Sequence, residues 1–500
     1  MTRFLSSLAG IVAWLLVAGH AQAPPADVAD AEVHLGDRLL REGRYADASE
    51  AYGRALASET VGARAGVGLI LSRLRLGEFE RAYTEAGALR ERYPRSSDVA
   101  AVHGDALWAY GLFEDAEAAY EAALDGDPTH ARGRNGRARA LAARSRLSEA
   151  AAEAQLALRT NSGEAEFHYT AGAIAARLHR FDEAAFAFRN YVNLLPRRDT
   201  NAKAGWARAE IKFLDAFKGR RPFDAGLDHE RRVWRVPIRI ERDKVLVRGR
   251  VNGGAVQDFI LDTGAEQTVI SREVARRRGV VPITYVQSAG VGDVGLRGLQ
   301  AGRLDTLQIG DFTVRHVPCL IKNPPLRGLP GAEPDSFSPL AMGLSMRIDY
   351  VHRELVMSRR LESAPHDAEL PLRMHRLATV LGRVNGTHRA TFIVDTGGEE
   401  ISISQTTAGF IQPDAAFRRI PLKVYGTSGW DKEAFLMPNV DLEFSSIRLA
   451  RAPVIVLNLE APSALLGFQL GGIVGHRFLS RYRVSIDLER SVLGLSETQN

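Results

Sequence analysis

The sequence predicts a multidomain protein: an all-α solenoid followed by an all-β region of two similar lobes. Three observations predict it. Small residues recur every 34 positions between about residues 29 and 196. Beyond residue 232 the Ala-rich helical texture gives way to short alternating strands. Within that second region one stretch occurs twice, as Phe259-Ile260-Leu261-Asp262-Thr263-Gly264-Ala265 and as Phe392-Ile393-Val394-Asp395-Thr396-Gly397-Gly398. Five hundred residues call for more than one domain. An apolar share of 45% and a charged share of 25% fit a globular chain.

The first residues read as a secretion signal over 1–23. Arg3 supplies the positive start, and Leu8 to Ala18 forms a short apolar core. Gly19-His20-Ala21 and Ala21-Gln22-Ala23 are candidate cleavage sites, and Pro24 favours the earlier one. The apolar run is shorter than the ~20 residues a membrane span needs. The expected compartment is therefore periplasmic or extracellular, with no span left after signal removal. Cys319 is the only cysteine, so no intrachain disulfide can form, and its apolar neighbours mark it as a buried strand residue. The net charge of +5 comes from arginines spread along the chain. No basic stripe interleaves with aromatics, so nucleic-acid binding is not expected.

The helical region follows from its spacing. Gly43, Gly77 and Gly111 lie 34 apart, and Ser145 and His179 continue the series. Two positions later stand Tyr45, Phe79, Phe113, Leu147 and Phe181, and five positions later Ala48, Ala82, Ala116, Ala150 and Ala184. A small residue lets two helices approach, the aromatic packs between them, and Pro94, Pro128 and Pro196 end second helices. This pattern resembles the tetratricopeptide repeat, over five units. Asn201 to Phe217 reads as a capping helix with Trp206, Phe213, Leu214 and Phe217 on its apolar face. The solenoid with its cap is assigned to 29–217. The resemblance implies a concave surface for peptide or protein partners.

Residues 218–232 are polar, contain Gly219, Pro222 and Gly226, and read as a linker. The β region divides into a first lobe, 233–362, and a second, 363–500. The linker predicts two self-contained units, with the helices dispensable for chemistry on a short peptide.

The duplicated stretch carries the chemistry. An apolar triplet before Asp is a buried strand, and Thr-Gly after it is a tight turn that presents the carboxylate. A lone Asp-Thr-Gly arises by chance in on the order of one chain in ten of this length. Here the match extends to Gly249-Arg250-Val251-Asn252-Gly253 against Gly382-Arg383-Val384-Asn385-Gly386, without a gap. Two facing carboxylates cannot both ionise easily, so they share a proton. One accepts a proton from water while the other donates to a carbonyl. Such a dyad needs neither metal nor organic cofactor. The sequence has no phosphate-binding Gly-rich loop with Lys, no His-Glu-x-x-His and no Gly-x-Ser-x-Gly.

Residues from about 233 to 495 resemble two retropepsin-like aspartic protease lobes in one chain. Leu261 to Ile270, Val394 to Gly398 and Ile473 to Leu479 carry the resemblance. It implies closed β barrels and a peptide cleft between them, with Asp262 and Asp395 catalytic and Thr263, Gly264, Thr396 and Gly397 supporting the loops. It also implies glycine-rich flaps, near Gly290 and Gly292 to Gly298 in one lobe and Tyr425, Gly426 and Trp430 in the other. Three departures stand out. The first lobe's counterpart of Ile473-Val474-Gly475 reads as Ala341-Met342-Gly343. Ile401 occupies the place of Thr268. Gly398 replaces the more usual Ala or Ser. The His476-Arg477 pair reads as the start of a short helix, since the dyad needs no imidazole. The expected function is an exported aspartic endopeptidase whose repeats recruit substrate or a partner. The alternative is a non-catalytic peptide-binding scaffold.

Overall fold

The computed structural model describes residues 25–226, 232–292, 295–322, 335–411, 419–426 and 428–498. The predicted signal, residues 227–231 of the linker and residues 293–294 and 427 of the flaps lie outside these. Among the described residues eleven helices run from Ala26 to Asp215, followed by a β region that begins at Trp234. No described helix is long and apolar enough to cross a membrane.

Each 34-residue unit is a pair of antiparallel helices. The aromatic or leucine of the period opens the second helix: Tyr45, Phe79, Phe113, Leu147 and Phe181 are each its first residue. The alanines three positions on are fully buried at the helix contact. The residue that starts the period has a different role from the one the spacing suggests. Gly43, Gly77, Gly111, Ser145 and His179 all have positive φ, between 56° and 89°. They end the first helix with a left-handed turn, which favours glycine and strains Ser145 and His179. Close helix approach is carried by other glycines. A Cβ on Gly104 would lie 2.5 Å from the Tyr120 ring, and one on Gly172 would lie 2.8 Å from Phe188.

The two lobes repeat one topology. In the first, strands Lys244–Val251, Gln257–Leu261, Asp335–Phe337, Thr268–Ile270, Phe312–Ile321 and Leu296–Ile309 pair in that order, and the last returns to the first. In the second, Leu377–Val384, His388–Val394, Gly472–Val474, Ser402–Ser404, Ile447–Leu457 and Phe435–Phe444 close the same ring. Each is a small barrel filled by side chains. The duplicated Asn-Gly pairs turn the chain between the first two strands of each barrel. Asn252, Gly253, Asn385 and Gly386 all adopt the left-handed backbone such a turn needs.

A six-stranded antiparallel sheet ties the lobes together. Trp234–Pro237, Glu354–Ser358 and Ser345–Asp349 come from the first lobe. Tyr482–Asp487, Val492–Glu497 and Ala368–His375 come from the second. Met346 pairs with Ile486 across the join. The lobes therefore pair within one chain, and their apolar interiors form a continuous cluster.

The repeats are not a separate body. Trp108, Leu112 and Phe113 share a buried cluster with Leu377, Ile393, Leu466 and Phe468 of the second lobe. The Gln469 N–H donates to the Ala109 carbonyl at 2.8 Å, and the Thr391 hydroxyl donates to the Gly111 carbonyl at 2.5 Å. Arg373 pairs with Glu114 at 3.0 Å, and Arg389 pairs with Asp115 at 2.6 Å. The capping helix Ala202–Asp215 and Phe217 pack on Ala301, Ile283, Val286 and Leu320 of the first lobe. Part of the predicted linker is docked as well: Phe223 is buried and Asp224 bridges Arg315. The expectation of two self-contained units fails because the interface is apolar, and apolar surface on two neighbouring bodies is buried by joining them.

Candidate active site

The strands Gln257–Leu261 and His388–Val394 end at Asp262 and Asp395. Their last residues are buried, so the carboxylates emerge from the barrels at fixed positions. A second strand holds each backbone: the Asp262 N–H donates to the Phe337 carbonyl and the Asp395 N–H to the Val474 carbonyl, both at 3.0 Å.

The two loops lock each other. The Thr263 hydroxyl donates to the Val394 carbonyl at 2.6 Å and accepts from the Thr396 N–H at 3.0 Å. The Thr396 hydroxyl donates to the Leu261 carbonyl at 2.7 Å and accepts from the Thr263 N–H at 3.1 Å. Both threonines are fully buried. The glycines that follow face the opposite acid. A Cβ on Gly264 would lie 2.5 Å from the Asp395 carboxyl, and one on Gly397 would lie 2.7 Å from the Asp262 carboxyl. Each loop thus needs glycine because the other loop's acid fills the space, and the two carboxyls share one pocket.

The carboxyls are not equivalent. Asp395 Oδ1 accepts from the N–H groups of Gly397 at 2.8 Å and Gly398 at 2.9 Å. The Gly264 N–H supports both acids, and the Ser336 hydroxyl supports Asp262. Burial raises Asp395, opposed by its backbone donors and the Lys244 ammonium. Burial, reinforced by the charge of Asp395, pushes Asp262 up to about 7. Lys244 Nζ donates to the Gly397 carbonyl and pairs with Glu399 at 3.4 Å.

Above the dyad the flaps meet tip to tip. The strands Pro282–Ala289 and Leu296–Ile309 form one hairpin, and Val424–Gly426 with Gly429–Asp431 form the other. The Gly290 N–H donates to the Ser428 hydroxyl at 3.1 Å, and the Ser428 N–H donates to the Val291 carbonyl at 3.0 Å. Gly292 and Gly426 allow this: a Cβ on either would collide with the opposing backbone. Tyr425 lines the space beneath and Trp430 pairs with it across the hairpin, each 37% exposed. The flaps roof a cavity of about 1340 Å³ lined by both acids. Among the described residues no group of three His, Cys, Asp or Glu side chains could hold a metal ion.

The departures read from the sequence have physical explanations. The first lobe's counterpart of Ile473-Val474-Gly475 is Ser336-Phe337-Ser338, not Ala341-Met342-Gly343: Phe337 pairs with Leu261 as Val474 does with Val394. Leu340–Met342 is instead the short helical turn that follows. The polar residues hid this strand, but Asp335 and Ser336 within it find partners. Asp335 accepts from the Ser271 N–H and from the Gln257 amide, both at 2.7 Å. Ser336, missed by sequence reasoning, reaches Asp262. The hydroxyl that Ile401 lacks goes unused in the first lobe, where Thr268 Oγ1 is buried without a partner among the described residues. Gly398 has no room for a Cβ, which would lie 2.8 Å from Asp395 Oδ2. His476 is buried, which pushes its imidazole below the usual histidine range, and it opens a four-residue helix. Its N–H and that of Arg477 hold the carbonyls of Gly398 and Glu399, at 2.8 and 2.9 Å. Lys244 was also missed. Its only sequence signal is that Leu377 occupies its place in the second copy.

Residues 247–336 match a family model described as aspartyl protease, and residues 34–98 and 102–165 match one described as tetratricopeptide repeat. The chain carries an aspartyl protease domain behind tetratricopeptide repeats. Solved structures matched over part of the chain include a thermophilic repeat protein from Thermus thermophilus. It is 22% identical over 36% of this chain and 98% of that one, with a TM-score of 0.31. They also include the aspartic proteinase from Irpex lacteus, 12% identical over 54% of this chain and 98% of that one, with a TM-score of 0.33. No curated protein matches.

Proposed function

We propose that the protein is an exported aspartic endopeptidase in which Asp262 and Asp395 activate a water against a peptide carbonyl. One observation carries this reading: two carboxyls share a pocket, each seated against the glycine of the other's loop, under two flaps. The asymmetry of their hydrogen bonds supports distinct roles. Asp395, with its backbone donors, holds negative charge more readily and acts as the base. Asp262 keeps the shared proton and acts as the acid. As the water oxygen attacks the carbonyl carbon, Asp395 takes a water proton and Asp262 protonates the carbonyl oxygen. The resulting tetrahedral diol collapses as Asp395 gives that proton to the nitrogen and Asp262 takes one back from a diol hydroxyl, so the C–N bond breaks to an amine and a carboxylic acid and the singly protonated pair is restored. Lys244 keeps the pair from binding a second proton, because its charge favours the anion. Against the scaffold alternative, the departures that suggested lost activity leave both acids supported.

The test is a mixed peptide library incubated with purified full-length protein. Asp262→Asn and Asp395→Asn should each lower cleavage by about 10²- to 10⁴-fold. Neither should disturb the far-ultraviolet spectrum. Cleavage that survives either substitution would refute the mechanism.

A further inference from the structure

The cavity that holds the acids continues past the first catalytic loop onto the helical repeats. Tyr169, Trp206 and Glu210 line it together with Asp262 and Asp395. They stand on the helices Ala165–Arg177 and Ala202–Asp215, outside both protease lobes. The end of the solenoid therefore forms a wall of the space in which a bound chain would lie.

The chemistry of this wall is specific. Glu210 is partly buried and makes no hydrogen bond or ion pair within the protein among the described residues. The neighbouring cation, Arg376, is already committed. Its Nε donates to Glu266 at 2.8 Å and its Nη1 to the Leu465 carbonyl at 3.0 Å. The other arginines of the wall are committed too, Arg139 to Asp105 and Tyr120 and Arg177 to the carbonyls of Ala142 and Met374. Burial pushes the Glu210 carboxyl up to about 7, with Arg376 opposing and Glu266 adding to the rise. Beside it the rings of Tyr169 and Trp206 lie 5.7 Å apart, backed by Phe188 at 5.5 Å from Trp206. An unpaired acid beside aromatic faces is poorly satisfied by a neutral group and repels an anion. A cation satisfies it twice, by ion pairing and by lying against the rings.

We infer that Glu210, with Tyr169 and Trp206, forms a substrate subsite that selects a cationic group, ammonium or guanidinium, on a peptide bound across the dyad. This rests on the peptidase reading above. Glu210 is then a specificity residue supplied by the repeats. The helices would choose substrate inside the cleft as well as on their own surface. Glu266, four positions past Asp262, places this subsite beside the catalytic loop.

The test measures binding, so that it does not depend on turnover. Full-length Asp395→Asn protein is titrated by fluorescence anisotropy with matched peptides carrying Lys, Arg, norleucine or Glu at each position. Each peptide is made with a free and with an acetylated N-terminus. The expected result is a preference for Lys or Arg at one position, or for the free N-terminus, that falls about 10- to 100-fold when Glu210→Gln is added. The two arms tell a side-chain cation from an α-ammonium. Glu210→Arg should invert the preference towards Glu. An undiminished cation preference in Glu210→Gln overturns the subsite and leaves the peptidase reading intact. Failure of every peptide to bind overturns both.

Discussion

The reciprocal threonine lock offers the sharpest test of how the two lobes make one site. Thr263→Val removes a hydroxyl that both donates and accepts across the lobe boundary. It leaves the Val394 carbonyl and the Thr396 N–H unpaired in a site where Thr263 is 1% and Thr396 0% exposed. A buried polar group without a partner costs about 1–3 kcal/mol, so two should cost about 2–6 kcal/mol. Thr263→Ser keeps both bonds and loses only a methyl group, worth about 1 kcal/mol. Urea unfolding followed by tryptophan fluorescence compares the two variants. Peptide cleavage reads the second consequence: a dyad displaced by about 1 Å loses about 100-fold in rate. The serine variant should stay within a few-fold of the wild type in cleavage. If Thr263→Val unfolds within about 1 kcal/mol of Thr263→Ser, the lock contributes no more than packing and the reasoning fails.

Three further outcomes follow from the same geometry. Cleavage should follow a bell-shaped pH curve, because only the singly protonated pair works. Its alkaline limb falls as pH rises through the raised Asp262 value of about 7, and Lys244→Met, which removes a charge that lowers both acids, should move both limbs to higher pH; a rate that keeps rising into alkali would contradict it. A chain beginning near His229 exposes Leu377, Leu466 and Phe468, each about 1.5–3 kcal/mol of apolar burial, so it should aggregate or unfold at markedly lower urea, and an unchanged midpoint would show the interface to be weak. Gly398→Ala pushes a methyl group against Asp395 Oδ2, so kcat/KM on any cleaved peptide should drop by about tenfold or more, while Ala265→Gly, on the loop that already carries a Cβ, should change it less than about threefold.

Much of this was legible in the sequence, because what it encodes locally it encodes repeatedly. The 34-residue period gave the helix pairs, since a left-handed turn and a buried alanine recur wherever one helix must reverse onto the next. The constant offset between Asp262 and Asp395 gave the two lobes. The offset does not hold at the strand beside the first acid. There, Asp335 and Ser336 occupy a buried strand by hydrogen-bonding to Ser271, Gln257 and Asp262, so no apolar run announces them. Lys244 escaped for the opposite reason: it opens an ordinary strand, and its importance comes from where the other lobe's Gly397 and Glu399 lie. The contacts of the repeats with both lobes were illegible too. Trp108 and Phe113 obey the helical period whether they face solvent, a partner or the second barrel, so periodicity identifies an apolar position without naming its neighbour.

Those contacts tie the repeats to the roof of the site. The flap strand Pro282–Ala289 rests Ile283 and Val286 on the aromatic cluster of the capping helix, and Arg303 Nη1 from the other strand of that hairpin donates to the Ala216 carbonyl at 3.0 Å. Its tip, by contrast, is held by Ser428 of the opposite flap. Opening the roof at the tips breaks a few exchangeable hydrogen bonds. Opening it at the base would uncover apolar surface shared with the helices, a far larger cost. The first flap is thus anchored at its base by apolar packing on the repeats and joined at its tip by hydrogen bonds to Ser428. The last helices of the repeats also line the cavity beside the acids. One element, the capping helix, therefore both supports the base of the first flap and lines the cavity that holds the dyad.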